Sequence, residues 1–264
     1  MDIIANQTKR RLAAGKIALG MGLRQARTVD IASIAKTCGY DWIFIDMEHS
    51  SIDVETAAQI AIAGLGAGIT PIVRVPGHQH FHASRLLDTG AQGIVVPHVD
   101  TAEEAQRIVS YCKYPPVGHR SVAGAQPQLG FKSVSVAEAT RLVNQETLVV
   151  VMLETPTAIK NAEAIAAVKG LDVLLIGTND LCAELGIPGD FGNKKVEDAY
   201  AVVIDAARKH HKFPGMGGVY EPGLMQKYIG MGMSFVLSGS DLSFMMAGAR
   251  ARSELLRKTR AAKR

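Results

Sequence analysis

The sequence predicts a parallel (β/α)8 barrel, and three observations predict it. Eight short apolar segments alternate with eight segments of helical period along 264 residues. Several apolar segments, among them Trp42–Asp46 (WIFID), Thr147–Leu153 (TLVVVML) and Asp172–Ile176 (DVLLI), run unbroken rather than alternating, as in strands covered on both faces. The length also suits such a barrel, which needs about 250 residues as one domain, so residues 1–264 are read as a single domain. The alternative is an open doubly wound sheet. It is disfavoured because no G-x-G-x-x-G follows a first strand; Gly64, Gly66 and Gly68 close a helix instead.

In order, residues 1–14 read as a short helix and Lys16–Leu23 as the first strand. Val29–Thr37 has helical period and meets Gly39, a natural C-cap. After Trp42–Asp46, Asp53 caps a helix over Val54–Ala63, and Thr70–Val75 is the third strand. Phe81–Asp88 is helical and Gly93–Pro97 is the fourth strand. Thr101 then caps Ala102–Tyr111, with Glu104 placed for a capping box. Between Cys112 and Lys132, prolines and glycines break all period; a loop this long in a compact domain is usually functional. Helix Ser133–Asn144, strand Thr147–Leu153, helix Pro156–Val168 and strand Asp172–Ile176 follow, then a short helix near Leu181–Leu185. Helix Val196–His210, strand Gly215–Val219, helix Pro222–Ile229 and strand Ser234–Ser238 complete the alternation, and Asp241 opens the last helix.

Composition narrows the function classes. The net charge is only +4, and much of the excess sits in Arg250–Arg264 without interleaved aromatic residues for base stacking, so a solvated helix face is favoured over nucleic-acid binding. No window approaches about 18 apolar residues, so no membrane span is expected. Cys38, Cys112 and Cys182 fit neither a disulfide framework nor a zinc spacing, which suggests a reducing, cytoplasmic setting.

In a parallel barrel the residues just past each strand share one rim. Here they are His49 after strand two, Arg74 at the end of strand three, Glu154 at the end of strand five and Asp180 after strand six. Adjacent parallel strands lie about 4.8 Å apart, so Glu154 and Asp180 can reach one hard cation such as Mg²⁺ or Mn²⁺. The competing reading makes Glu154 a cap for the helix near Pro156. Arg74, in an apolar strand, either binds a substrate carboxylate or enolate or pairs with a barrel acid. His49 is a base near neutral pH or a loop-bonded imidazole, with Asp46 and Glu48 near enough to orient it. His78, His80 and His82 straddle a loop–helix junction, a poor arrangement for zinc. No G-x-S-x-G occurs and no strand interior carries a lysine, which argues against Schiff-base chemistry and for a metal.

These segments resemble the metal-dependent (class II) pyruvate aldolases that act on 2-keto-3-deoxy sugar acids and 4-hydroxy-2-oxoheptanedioate. The resemblance lies in DWIFIDMEHS (41–50), PIVRVPG (71–77), LLDTGAQGIVVPHVDTAEEA (86–105), YPPVGHRSVAGA (114–125), VMLETPTAIKN (151–161) and GLDVLLIGTNDLCAELG (170–186), colinear over most of the chain. It implies Glu154 and Asp180 as ligands of Mg²⁺ or Mn²⁺, with Co²⁺ as a third choice. It also implies His49 as base, Arg74 as enolate stabiliser, Thr178–Asn179–Asp180 as the pyruvyl carboxylate site, and Asp88 as an acid acting on the histidine. Trimers or hexamers with an exchanged last helix are implied as well; because Asp88 belongs near the opposite rim of its own barrel, it would reach His49 across subunits. Two positions depart from the family pattern. Met152 stands where a substrate-contacting glutamine is usual, and His119-Arg120-Ser121-Val122-Ala123-Gly124 replaces G-x-R-G-V-G. The expected reaction is reversible cleavage of a 4-hydroxy-2-oxo acid to pyruvate and an aldehyde. The alternatives are an oxaloacetate decarboxylase, a carbon–carbon lyase on an acyl-CoA thioester, and a non-catalytic binding barrel.

Overall fold

The computed structural model describes residues 3–259; the ends of the first predicted helix and of the basic tail, residues 1–2 and 260–264, lie outside the described residues. The first half of the chain contains α1 (Gln7–Ala13), β1 (Ala18–Leu23), α2 (Ile31–Thr37), β2 (Trp42–Asp46), α3 (Val54–Ala67), β3 (Thr70–Arg74), α4 (His80–Asp88), β4 (Gly93–Val96) and α5 (Ala102–Cys112). The second half contains α6 (Val136–Glu146), β5 (Leu148–Leu153), α7 (Pro156–Lys160), α8 (Ala162–Ala166), β6 (Val173–Gly177), α9 (Thr178–Glu184) and α10 (Lys194–Lys209). It ends with β7 (Phe213–Gly217), α11 (Pro222–Met231), β8 (Phe235–Ser240) and α12 (Asp241–Lys258). The eight strands close in sequence order into one ring, each pair parallel, with β8 returning to β1. This is the predicted (β/α)8 TIM barrel.

Differences from the predicted elements have local causes. Helix α3 continues through Gly64, where a Cβ would stand 3.3 Å from the Ile69 carbonyl oxygen, and stops at Gly68, whose φ of 69° forms a left-handed cap. The helix predicted over Pro156–Val168 breaks at Asn161, whose side chain donates to the Asp100 carbonyl at 2.8 Å. Helix α6 starts after its Ser135 cap rather than at Ser133. Helix α9 starts directly at the end of β6 rather than three residues later. The Thr101–Glu104 capping box and the Asp53 cap form as read from the sequence. Among the described residues, no helix is long and apolar enough to cross a membrane.

The two-residue period of a strand divides the apolar residues into two layers. Ala18, Trp42, Phe44, Ile72, Val95, Leu148, Val150, Val173, Leu175, Phe235 and Leu237 fill the barrel interior, with Trp42 stacked on Phe235 at 4.0 Å. Ile43, Ile45, Val73, Ile94, Val149, Val151, Leu174 and Ile176 face outward into the helix layer. Following the inward parity to the strand ends gives Asp46 from β2, Arg74 from β3 and, past Met152, Glu154 just beyond β5. The same parity on β1, β6 and β7 ends on Gly22, Gly177 and Gly217, and β8, whose register with β1 shifts between Leu237 and Ser240, brings Gly239 to the cavity wall. The interior is therefore packed below and charged on one side above. On the other side the strand ends carry glycines, and a cavity of about 420 Å³ opens at the carboxyl rim.

Candidate active site

Asp46, Arg74, Met152, Glu154, Asn179 and Asp180 all line this cavity, with His49 at its edge. The elements that bring them there are β2 and its loop, β3, β5, and the junction of β6 with α9.

Asp46 and Arg74 form its floor. Both are buried, and Arg74 grips Asp46 with two bonds, Nε to Oδ1 at 3.0 Å and Nη2 to Oδ2 at 2.8 Å. Arg24 adds a third bond, Nε to Oδ2 at 3.1 Å. Burial alone would raise the Asp46 carboxyl. The Arg74 fork, the His49 backbone N–H and Arg24 outweigh it and hold the carboxyl below its ordinary value. For Arg74, burial opposes the charge, and the Asp46 contacts with the Glu48 and Glu154 fields keep it cationic. Asp46 also accepts the backbone N–H groups of Glu48 (3.2 Å) and His49 (3.1 Å). Asp46 thus seats the His49 loop and Arg74 through these bonds, and among the described residues no hydrogen bond joins its carboxylate to the His49 imidazole. Arg74 is ion-paired, and its Nη1 is left turned toward the cavity, 3.9 Å from the Met152 sulfur.

Glu48, His49 and His98 stand around that nitrogen. Glu48 Oε2 is 2.8 Å from Arg74 Nη1 yet makes no aligned hydrogen bond, and Oε1 is 3.5 Å from His98 Nε2. His49, half exposed, holds its Nε2 3.8 Å from Glu48 Oε2. Glu48 is therefore the acid beside the imidazole. His98 was missed from sequence although it follows β4 at the same rim. Its backbone N–H donates to Glu154 Oε2 at 2.8 Å and its Nδ1 lies 3.2 Å from the same oxygen. The signal was legible in GIVVPH, by the rule that found His49.

Glu154 is 1% exposed. Desolvation raises its carboxyl to about 7; the His98 contacts oppose the rise, and the Asp180 and Glu48 carboxylates add to it. A buried acid facing two others, with a free path to the cavity, is the environment that a divalent cation neutralises. Its oxygen donors suit Mg²⁺ or Mn²⁺. Among the described residues no group of three or more His, Cys, Asp or Glu side chains is arranged to hold a metal, and the two carboxylates expected as ligands, Glu154 and Asp180, both line the cavity. Gly177 gives Glu154 its room: a Cβ there would fall 2.3 Å from Oε1. Gly177→Ala is expected to displace the carboxylate and weaken Mn²⁺ binding by about 10–100-fold, read by calorimetry. Unchanged affinity would mean that Glu154 is not a ligand.

The remaining expected residues divide. Met152 is buried and lines the cavity. Asn179 is exposed, and Asp180 half-buried, at the rim. The Thr178 hydroxyl is unavailable: it meets the Gly217 carbonyl at 2.7 Å and the Tyr200 hydroxyl at 2.8 Å, which leaves only its main chain to a ligand. Asp88 is not brought to His49 within one chain. It ends α4 near the opposite rim and takes the Arg120 Nη2 at 2.5 Å, with Arg120 stacked over Tyr114. His78 bonds the Pro97 carbonyl at 2.8 Å and stands apart from the acids.

Residues 24–247 match the family described as HpcH/HpaI aldolase/citrate lyase. The chain is 37% identical over 252 residues to a 4-hydroxy-4-methyl-2-oxoglutarate aldolase of Hapsidospora irregularis, covering 94% of this chain and 92% of the relative. It is 38% identical over 238 residues to a 4-hydroxy-2-oxovalerate aldolase of Rhodococcus jostii, covering 89% and 90%. The crystal structure of an HpcH/HpaI aldolase from Desulfitobacterium hafniense superposes with a TM-score of 0.91 at 28% identity, covering 97% of this chain and 98% of that one.

Proposed function

The chain belongs to the HpcH/HpaI aldolase/citrate lyase family, and from that premise we propose that it is a divalent-metal-dependent lyase cleaving 4-hydroxy-2-oxo acids to pyruvate and a carbonyl compound. The observation that carries this reading is the convergence of the Glu154–Asp180 carboxylates, Arg74 and His49 on one cavity.

Glu154 and Asp180 would hold the cation, which when bound supplies Lewis-acid polarisation of the 2-oxo group. The main chain at Thr178–Asp180 binds the adjoining carboxylate. His49 takes the proton from the 4-hydroxyl, with the Glu48 carboxylate 3.8 Å from its Nε2. The C3–C4 bond then breaks and its electron pair stays on C3 as the pyruvate enolate. Arg74 Nη1, fixed by the Asp46 clamp, meets the charge growing on the 2-oxygen. Met152 cannot supply the hydrogen bonds of a glutamine, so it shapes the cavity wall and does not orient the substrate by donation.

Exhaustive chelation is expected to abolish turnover and leave the circular dichroism spectrum unchanged, and added Mg²⁺ or Mn²⁺ restores turnover. Turnover that persists without metal would overturn the mechanism. Binding should also report on Glu154: below about pH 7 its carboxyl is protonated, so Mn²⁺ affinity falls toward about tenfold per pH unit.

The chain would act as one catalytic domain in a homo-oligomer, trimer or hexamer. In support, α12 has no buried residue and exposes Phe244, Met245, Met246, Leu255 and Leu256. Such a stripe suits exchange or docking of the helix against another subunit, and Asp88 could serve His49 only across that boundary. The free cysteines support a cytoplasmic setting.

A further inference from the structure

Arg24 is the least compensated cation of the cavity. It continues the inward set of β1, after Ala18, Gly20 and Gly22, and it lines the cavity near Tyr220 and Ser240. Only its Nε is engaged, by Asp46 Oδ2 at 3.1 Å. Among the described residues no hydrogen bond reaches either terminal nitrogen, and the side chain remains 42% exposed. Arg74, by contrast, is clamped by the Asp46 carboxylate through Nε and Nη2 and has Glu48 Oε2 2.8 Å from its Nη1. The loop that carries Arg24 is built to hold it: Asp241, the first residue of α12, accepts the backbone N–H groups of Arg24 (2.9 Å), Gln25 (2.9 Å) and Ala26 (2.7 Å). Arg27 Nη1 donates to the Arg24 carbonyl at 3.0 Å.

The ring order places this cation opposite the metal side. In a closed barrel of eight strands, β1 lies four strands from β5, which presents Glu154. Between them Gly22, Gly177, Gly217 and Gly239 line the cavity and leave room there beside the Asp46–Arg74 floor. A substrate anchored by its 2-oxo acid end at Glu154 and Asp180 therefore runs past His49 and Arg74 and presents its far end to Arg24. A planar guanidinium with its outer N–H groups free fits a carboxylate.

We propose that Arg24, positioned by Asp241, forms a second anion subsite and is the residue by which this chain selects, among 4-hydroxy-2-oxo acids, those with a carboxylate at the far end. This rests on the aldolase reading of the same site and fixes its substrate class. The fragment released with pyruvate then carries its own carboxylate and is itself a 2-oxo acid when that carboxylate adjoins C4. The bond changes are those above: C3–C4 breaks, the 4-hydroxyl loses its proton and becomes the second carbonyl, and C3 takes up a proton to complete pyruvate.

The test uses two non-cleavable five-carbon acids, 2-oxoglutarate and 2-oxopentanoate, which share the 2-oxo acid end and differ in the far carboxylate. With Mn²⁺ present, calorimetry on the wild-type chain is expected to give a Kd about 10–100-fold lower for 2-oxoglutarate. In Arg24→Gln the ratio collapses toward one; Arg24→Lys, which keeps the charge without the fork, retains part of it and guards against a folding defect in the first variant. Equal affinity in the wild type, or an unchanged ratio in Arg24→Gln, overturns the subsite. A parallel assay with 4-hydroxy-2-oxoglutarate separates the two readings. Preference without cleavage sinks the aldolase reading and keeps the subsite. Cleavage without preference does the reverse, and binding of neither acid overturns both.

Discussion

Glu154→Gln is expected to lower kcat/KM for aldol cleavage by about a thousandfold or more while the barrel stays folded, a loss of about 4 kcal/mol in transition-state stabilisation. Glutamine keeps the shape and removes the charge that would hold the cation. Its amide can still accept the His98 backbone N–H, which Glu154 takes at 2.8 Å, so the local structure has no reason to collapse. The metal-free protein should even gain stability. Glu154 has a folded-state pKa of about 7 against an ordinary 4.5. Between those values the folded chain binds more protons than the unfolded one, so this group makes stability fall as pH rises through that window. In Glu154→Gln that slope should vanish. Thermal melts of metal-free wild type and variant across the same pH range measure it, alongside kinetics with saturating Mn²⁺. A variant with near wild-type kcat/KM would remove Glu154 from the metal site and leave the proposed chemistry without an anchor.

The barrel was legible in the sequence because its strands are long apolar runs separated by capped helices, and period alone separates the two. Trp42–Asp46 was placed to the residue, and the Thr101 capping box formed as spaced. Ends were less legible where tertiary contact decides them. Gly64 sits inside α3 because β3 packs close to it, and Asn161 breaks a helix because Asp100 lies within reach. The rim was legible in outline, since collecting residues after each strand found His49, Arg74, Glu154 and Asp180. What it could not supply was the pairing among them. Which acid faces the imidazole depends on two-residue differences at the end of β2, where Asp46 points to Arg74 and Glu48 to His49 and His98. Arg24 was also overlooked, because a residue past β1 reads as a loop arginine until the inward parity of that strand is known.

Arg74→Met should unfold more easily than the wild type by about 3–5 kcal/mol near pH 7, the cost typical of breaking a buried ion pair from one side. Methionine fills most of the volume, so the loss is electrostatic: Asp46, 1% exposed, would keep its charge with only the half-exposed Arg24 beside it. The pH dependence distinguishes this from a packing defect. In the wild type the Asp46 carboxyl is held below 3.8. Its pairing therefore contributes stability that is fully present above the unfolded value and lost as pH falls through the folded one. In the variant the same carboxyl, buried without its fork, is pushed upward and takes its proton at a higher pH than in the wild type as pH falls. The gap between the two proteins should thus be widest near neutrality and narrow below about pH 4. Urea unfolding at both pH values measures it. The double variant Asp46→Asn, Arg74→Met should recover part of the neutral-pH loss, because no unpaired charge is left behind. Arg74→Lys keeps a cation but not the two-pronged grip, so it should be more stable than Arg74→Met and still lose kcat with little change in KM, as expected of a group that meets charge developing in the transition state. A gap of similar size at both pH values would assign Arg74 to packing, and the Asp46 clamp would then lose its place in the chemistry.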